Sequence, residues 1–434
     1  EQEYTQKIYS YYEEAVIEDV TKDLMERKGI SQEAASTLVY NGGYKIYCCL
    51  DVGVQTAIDA VYTDINNIPQ TTSAQQLQSA IVVMNPYDGR ILGLAGGVGQ
   101  KDRNFPLNRA TGAYRSPGSS IKPLASYGPA VDNGLITPTT LVYDQQGMHL
   151  NGTSWFPAND SNVYYGLVTI KQALQYSLNT VAAQIIDKLG PQTSYNFMTT
   201  KLGFSNLVPS DADYAPMALG QLTKGVTVKE MTQAYCAFVN NGVFTYGRTY
   251  SLVTDFDGNT VLDNSPRTID AFKPNTAYTM TYMMQNAVEN GTGKDAALWT
   301  MPVAGKTGTS GDYKDRWFCG CTPYYVAAVW TGYDTPETIN VSGNPAAKLW
   351  KKVMQPLHDG LEYRSFTYPY IGENTGIFGV QDYLQAPDNS GWDYDTGTDG
   401  GSDWDDPWSS GGQNDFSGWG SDWGTSPDGG LFLG

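Results

Sequence analysis

The sequence predicts an α+β fold, with a central antiparallel sheet built from strands near both ends of the main domain and helices between them. Three observations predict it. The apolar runs Ala80-Ile-Val-Val-Met84 and Arg90-Ile-Leu-Gly-Leu-Ala95 flank the turn Asn85-Pro-Tyr-Asp-Gly89 and read as a β-hairpin. Residues 169–189 and 226–239 have the apolar spacing of long helices. Residues 302–309 and 317–332 are apolar and aromatic strand candidates late in the chain, so the sheet has to close from distant segments.

In chain order, residues 18–28 and 31–39 have helical apolar spacing, Tyr44-Lys-Ile-Tyr-Cys-Cys-Leu50 has strand character, and residues 54–65 are helical again. These make a lead-in over residues 1–75. A main domain is expected over residues 76–360, closing on an amphipathic helix over residues 344–358 with Leu349, Val353 and Leu357 on one face. An extension over residues 361–387 follows. Residues 388–434 hold ten Asp, no Glu, Lys or Arg, and five of the ten Trp, set among Gly and Ser. Such a segment cannot close a core and is expected to be disordered, either as a plain solvated tail or as one that touches carbohydrate or a partner protein.

The chain has 434 residues and a formal net charge of −18, of which the tail carries −10. A balance this acidic argues against nucleic acid as a partner. No run of 18 apolar residues occurs, so nothing in this chain spans a membrane. It begins with Glu1 rather than Met, without signal-like regions, which suggests a piece of something longer. The only histidines, His149 and His358, lie far apart and have no Cys at metal-ligand spacing, so zinc chemistry and a Ser-His-Asp triad are both disfavoured. Acid-base catalysis would have to run on Lys or a carboxylate. The five cysteines, Cys48, Cys49, Cys236, Cys319 and Cys321, form no disulfide framework and read as small buried hydrophobes.

The sharpest local feature is Arg115-Ser-Pro-Gly-Ser-Ser-Ile-Lys-Pro123. If Gly118 opens a helix, Ser119 sits at its N-terminus and Lys122 lies one turn on, along the same face. A hydroxyl nucleophile needs an adjacent base, and a Lys at this distance can serve. Neutralising a lysine of ordinary pKa at pH 7 costs about 4.6 kcal/mol. The chemistry therefore requires a dry pocket and a second cation nearby. Pro123 removes a backbone donor, so the helix should be distorted at its start. Ser116 and Ser120 are wrongly spaced from Lys122 to compete. Two further elements follow in order, Ser177-Leu-Asn179 and Lys306-Thr-Gly-Thr309.

S-x-x-K, S-x-N and K-T-G in this order are shared by class A β-lactamases and penicillin-binding proteins. The surround resembles the transpeptidase domain of class A, bifunctional penicillin-binding proteins: Tyr44-Lys-Ile-Tyr with Leu50-Asp51, Asn108-Arg-Ala110, Pro117-Gly-Ser-Ser-Ile-Lys-Pro123, Ala218-Leu-Gly220 with Gly225-Val226 and Glu230, Glu289-Asn-Gly-Thr-Gly293, and Asp315-Arg-Trp-Phe318. The resemblance covers about residues 40–358. It implies the penicillin-binding or serine-β-lactamase-like fold, with a mostly helical subdomain beside the sheet.

It also implies the chemistry. Ser119 would attack the penultimate D-Ala carbonyl of a peptidoglycan stem peptide ending in D-Ala-D-Ala, with Lys122 as base. Ser177 would relay a proton to the leaving amine and Asn179 would orient the acyl chain. Lys306 would supply the second positive charge, while Thr307, Gly308 and Thr309 would line the substrate carboxylate site. The oxyanion hole would use the backbone N–H groups of Ser119 and Thr309. The expected ligands are stem peptides, an acceptor amine and β-lactams, with neither metal nor cofactor. The expected place is the extracytoplasmic face of the bacterial cell membrane, through an upstream anchor and glycosyltransferase domain outside this chain. Cys319-Gly-Cys321 departs from the family, which more often has larger residues there, and should change packing and not chemistry.

A class A β-lactamase deacylates with a water-activating Glu. Between Ser177 and Lys306 the only glutamates are Glu230 and Glu289, neither in that setting, so a long-lived acyl-enzyme and transpeptidation are expected. A D,D-carboxypeptidase, and a non-catalytic β-lactam sensor or wall-binding module, remain the alternatives.

Overall fold

A computed structural model describes residues 7–147, 150, 155, 157–372, 377 and 378. His149 and the acidic tail of residues 388–434 lie outside the described residues, as does part of the 361–387 extension.

The chain opens with α1 (Tyr11–Lys28) and α2 (Gln32–Asn41), then β1 (Lys45–Cys48) and α3 (Val52–Tyr62). Helix α1 starts well before the periodicity at Glu18 indicated. Ser10 accepts from the Glu13 N–H while Glu13 reaches back to the Ser10 N–H, and this reciprocal cap fixes the start. The hairpin is present as β2 (Gln78–Met84) and β3 (Ile91–Ala95). After the Ser119 turn come α4 (Gly128–Asp132), β4 (Leu141–Asp144), β5 (Gly166–Thr169), α5 (Ile170–Tyr176), α6 (Asn179–Leu189), α7 (Pro191–Lys201), α8 (Tyr214–Leu219) and α9 (Val228–Val239). Four short strands follow, β6 (Val243–Thr245), β7 (Tyr250–Thr254), β8 (Thr260–Asp263) and β9 (Thr268–Asp270). Then come α10 (Pro274–Asn290), β10 (Ala304–Thr309), β11 (Asp315–Cys321), β12 (Val326–Gly332), α11 (Pro345–His358) and a two-residue strand, β13 (Ile377–Phe378).

The main sheet has the order β10-β11-β12-β2-β3, antiparallel throughout. The early hairpin is thus an edge of a sheet whose other three strands arrive more than two hundred residues later, the late closure expected from the sequence. Both faces are buried, so β2 and β12 read as nearly continuous apolar runs. Along β11 the period of two sends Trp317, Cys319 and Cys321 into the core under α9 and the site, and Phe318 into the core under α3 and α11. Leu349 and Val353 of α11 are buried in that second core, with Leu357 packed at its margin. No helix among the described residues is long and apolar enough to cross a membrane.

The lead-in folds onto the sheet edge. Tyr12 of α1 donates to the carbonyls of Ile91 and Thr249 at 2.7 and 2.9 Å, tying the helix to edge strand β3 and to the residue that precedes β7. All five cysteines are free thiols, and four are buried as expected. Cys48 is exposed, because β1 is an edge strand with one side chain after another facing solvent.

Candidate active site

Gly118–Ile121 forms a tight 3-10 turn, Pro123–Tyr127 a wide π turn, and regular helix begins only at α4. This is the distortion Pro123 imposes by lacking an N–H. The turn is clamped from several sides. Trp317 Nε1 donates to the Ser116 carbonyl at 2.8 Å, Tyr235 Oη to the Ser120 carbonyl at 2.6 Å, and Ser116 Oγ to the Gly220 carbonyl at 2.7 Å. Ser120 turns inward and donates to the Pro117 carbonyl at 2.7 Å, so its hydroxyl is occupied. Ser119 is left facing a groove.

Two glycines allow the end of β10 to close against this turn. A Cβ on Gly118, whose φ is +51°, would lie 2.1 Å from the Thr309 carbonyl oxygen, and one on Gly308 would lie 2.2 Å from that of Pro117. Only glycine permits both approaches. They bring the backbones of Ser119 and Thr309 together across Gly118, the two segments from which the oxyanion N–H groups are expected.

Ser177 caps α5 in the left-handed region, φ +60° and ψ +38°, a conformation that costs a non-glycine residue about 1 kcal/mol or more. It points its hydroxyl between two lysines. Lys306 Nζ donates to Ser177 Oγ at 2.8 Å and to the Thr307 carbonyl at 3.1 Å. Lys122 Nζ donates to the Ser177 carbonyl and to Asn179 Oδ1, both at 2.7 Å, with Ser177 Oγ at 3.5 Å. Both ammonium-bearing side chains are completely buried. Burial, and then the charge of Lys306, hold Lys122 well below the usual lysine range, although Asp160 opposes the shift. Burial pulls Lys306 down to about 7. A dry pocket and a neighbouring cation are both present. The two acceptors at 2.7 Å match the two N–H bonds of a neutral amine and leave its lone pair for a hydroxyl proton. Among the described residues the hydrogen-bond partners of Lys122 Nζ are Ser177 and Asn179, and none joins it to Ser119.

The structure gathers every candidate residue into one place. Ser119, Ser177, Asn179, Thr307 and Thr309 line a groove of about 530 Å³, with Lys122 and Lys306 behind its wall and Gly308 against the turn. Cys319 stands opposite Lys306 in the β10–β11 register, buried and outside the groove lining.

Several groups were not visible in the sequence. Buried Asp144 accepts from Asn159 Nδ2 at 2.7 Å, and Asn159 Oδ1 in turn accepts the Asn179 N–H at 2.8 Å. This chain fixes Asn179 and through it Lys122, yet Asp144 and Asn159 sit in no motif. Thr292, whose hydroxyl meets that of Thr307 at 2.9 Å, belongs to the Glu289-Asn-Gly-Thr-Gly293 stretch noted in the sequence without a role. Tyr165 and Tyr176 stack at the groove, ring centroids 4.8 Å apart and planes 8° apart. Their spacing in sequence gives no period that would pair them.

A family model described as the penicillin binding protein transpeptidase domain matches residues 79–355. The chain is 34% identical over 375 residues to penicillin-binding protein 1A of Clostridium botulinum, covering 83% of this chain and 45% of that protein. It is 36% identical over 324 residues to penicillin-binding protein 4 of Bacillus subtilis, covering 74% and 49%. It therefore spans about half the length of these relatives. In fold it is similar to PonA1 from Mycobacterium tuberculosis solved in complex with penicillin V, with a TM-score of 0.69 at 22% identity, covering 84% of this chain and 98% of that one. With a family match over most of the folded chain and relatives above 30% identity along it, the chain belongs to the penicillin-binding protein transpeptidase family.

Proposed function

We propose that the protein is a serine D,D-transpeptidase that cross-links peptidoglycan stem peptides through an acyl-Ser119 intermediate and is acylated by β-lactams at the same serine. The observation that carries this reading is the fully buried Lys122, hydrogen-bonded to Ser177 and Asn179 beside a second buried lysine, behind a serine that opens onto a groove. In acylation Ser119 Oγ attacks the penultimate D-Ala carbonyl while Lys122 takes its proton. The backbone N–H groups of Ser119 and Thr309 hold the oxyanion. Ser177 returns a proton to the departing nitrogen, the C–N bond breaks, and D-Ala leaves. An acceptor amine then attacks the ester carbon, and Ser119 recovers its proton as the C–O bond breaks. Lys306, Thr307 and Thr309 face the substrate carboxylate, and Asn179 the acyl chain. The same reading puts the protein on the extracytoplasmic face of the membrane, held by an upstream anchor and joined to a glycosyltransferase domain on the same polypeptide; this chain spans about half the length of its penicillin-binding protein relatives.

Incubation with a fluorescent penicillin followed by peptide mass mapping should place the label on Ser119. Label on another residue, or no label, overturns the assignment. Supplying a stem-peptide donor with and without an amine separates transfer from hydrolysis, and release of free tetrapeptide alone would make the protein a D,D-carboxypeptidase.

A further inference from the structure

Lys122 can take a proton only while Asn179 keeps one end of its amide toward it. The neutral amine gives its two N–H bonds to the Ser177 carbonyl and to Asn179 Oδ1. Turned over, the amide would put Nδ2 there instead, and an N–H donor would occupy the lone pair that has to receive the Ser119 proton.

A loop outside the three motifs opposes that turn. Asn179 Nδ2 donates to the Ala158 carbonyl, and its backbone N–H donates to Asn159 Oδ1, both at 2.8 Å. A flipped amide would set Oδ1 against the Ala158 carbonyl oxygen, two acceptors with no proton between them. Helix α6 starts without a side-chain cap from Leu178, and Asn159 Oδ1 serves in its place, with the Thr180 N–H at 3.4 Å as a second donor.

The loop hangs on one residue. Asp144, completely buried at the end of β4, accepts from Asn159 Nδ2 at 2.7 Å where the loop begins, from the Tyr165 N–H at 2.8 Å where it ends, and from Thr180 Oγ1 of α6. In between, the Asn162 N–H closes a turn on the Asn159 carbonyl at 3.0 Å, and Asn159 Nδ2 also reaches the Val163 carbonyl at 2.9 Å. Three donors converge on two oxygens, which suits a carboxylate, whereas an amide here would turn its own NH2 toward the Tyr165 N–H. Two charged groups act on Lys122 in opposite directions, Lys306 from β10 and Asp160 from this same loop. The ionisable group facing Asp144 is Tyr127 of the π turn, whose buried hydroxyl has no hydrogen-bond partner and is kept un-ionised by burial and then by the Asp144 charge.

Resting on the reading of Lys122 as the base, we propose that Asp144 is a positioning residue of the acylation step: by hanging residues 158–165 on β4 it holds Asn179 with its carbonyl toward Lys122 and keeps the lone pair of the base free.

The test is the second-order rate of labelling by a fluorescent penicillin from pH 5 to 9, for the full chain and for Asp144→Asn, with a melting curve at each pH. Weakening the orientation by one hydrogen bond should lower the plateau about 3- to 10-fold. The acidic limb should move to lower pH by about 0.5 to 1 unit, because an NH2 on Lys122 stabilises the neutral amine and Asp160, which favours the charged one, is released with the loop. A pocket that is merely loosened takes up water, which stabilises the ammonium and moves the limb to higher pH. A plateau that does not fall, or a limb that stays in place or moves to higher pH, overturns the positioning role while Lys122 stands as the base. Thr180→Val removes one donor to Asp144 at nearly constant volume. It should show both changes at smaller size, and it decides if Asp144→Asn does not fold. Lys122→Ala labelled at the native rate overturns the reading of the base and this inference with it.

Discussion

Replacing Lys306 by Met removes a buried charge while nearly keeping its volume, and it tests whether the electrostatics of the site work as the geometry implies. Lys306 Nζ and Lys122 Nζ lie 2.8 and 3.5 Å from the same Ser177 Oγ, so they are no more than about 6.3 Å apart. At an effective dielectric constant of about 20, two unit charges at that distance repel by about 2.6 kcal/mol, roughly 2 pK units. On the acid side of pH 7 Lys306 carries its proton and disfavours the proton on Lys122. Without it the Lys122 pKa should rise, although burial, the larger cause, still holds it below an ordinary lysine. Acylation through Lys122 needs its neutral amine, so the acidic limb of the rate should move to higher pH by about 1 to 2 units. The assay is the second-order rate of labelling by a fluorescent penicillin from pH 5 to 9, with a melting curve at each pH to show that the variant is folded. The plateau will fall as well, because Lys306 faces the substrate, but the limb position does not depend on the plateau. A limb that stays in place, or moves toward acid, would refute the claim that Lys306 tunes Lys122.

The remaining predictions use the same site. Lys122→Ala should cut acylation by about 10²- to 10⁴-fold with the circular dichroism spectrum intact, and native-rate acylation would remove Lys122 as the base. Stability should rise between pH 7 and 9: an unfolded lysine keeps its proton up to about pH 10.4, whereas folded Lys306 sheds it near 7, so over that window the unfolded state binds more protons. Urea titrations should show this rise, and a smaller one in Lys306→Met. Gly118→Ala should lower the melting temperature and abolish labelling, since its Cβ would strike the Thr309 carbonyl oxygen at 2.1 Å, and a variant that labels normally would show that the turn can move aside. Asn159→Ala should slow acylation about 10-fold by freeing Asn179, while its pH limb shifts with the rate, as expected of a residue acting through Lys122.

Where local rules governed, sequence and structure agree: the hairpin at residues 80–95, the late strands and the amphipathic face of α11 all follow from apolar period and turn chemistry. The start of α1 was legible in principle through Ser10 and Glu13, a capping pair outweighed by the weaker apolar pattern around it. Helix α10, 17 residues long, went unread because Thr, Tyr, Asn and Met interrupt its apolar stripe, and packing against β10 supplies what propensity does not.

The sequence by itself determined the candidate reacting groups, because a proposed nucleophile, a proposed base one turn away and a K-T-G strand are met by residue type and short spacing. Only the tertiary structure decided that Lys122 is dry and next to Lys306, and that Asp144 and Asn159 hold Asn179. Each depends on segments distant in the chain meeting at one point. Desolvation and charge–charge coupling act through space, so they leave no periodic mark on the sequence that produces them.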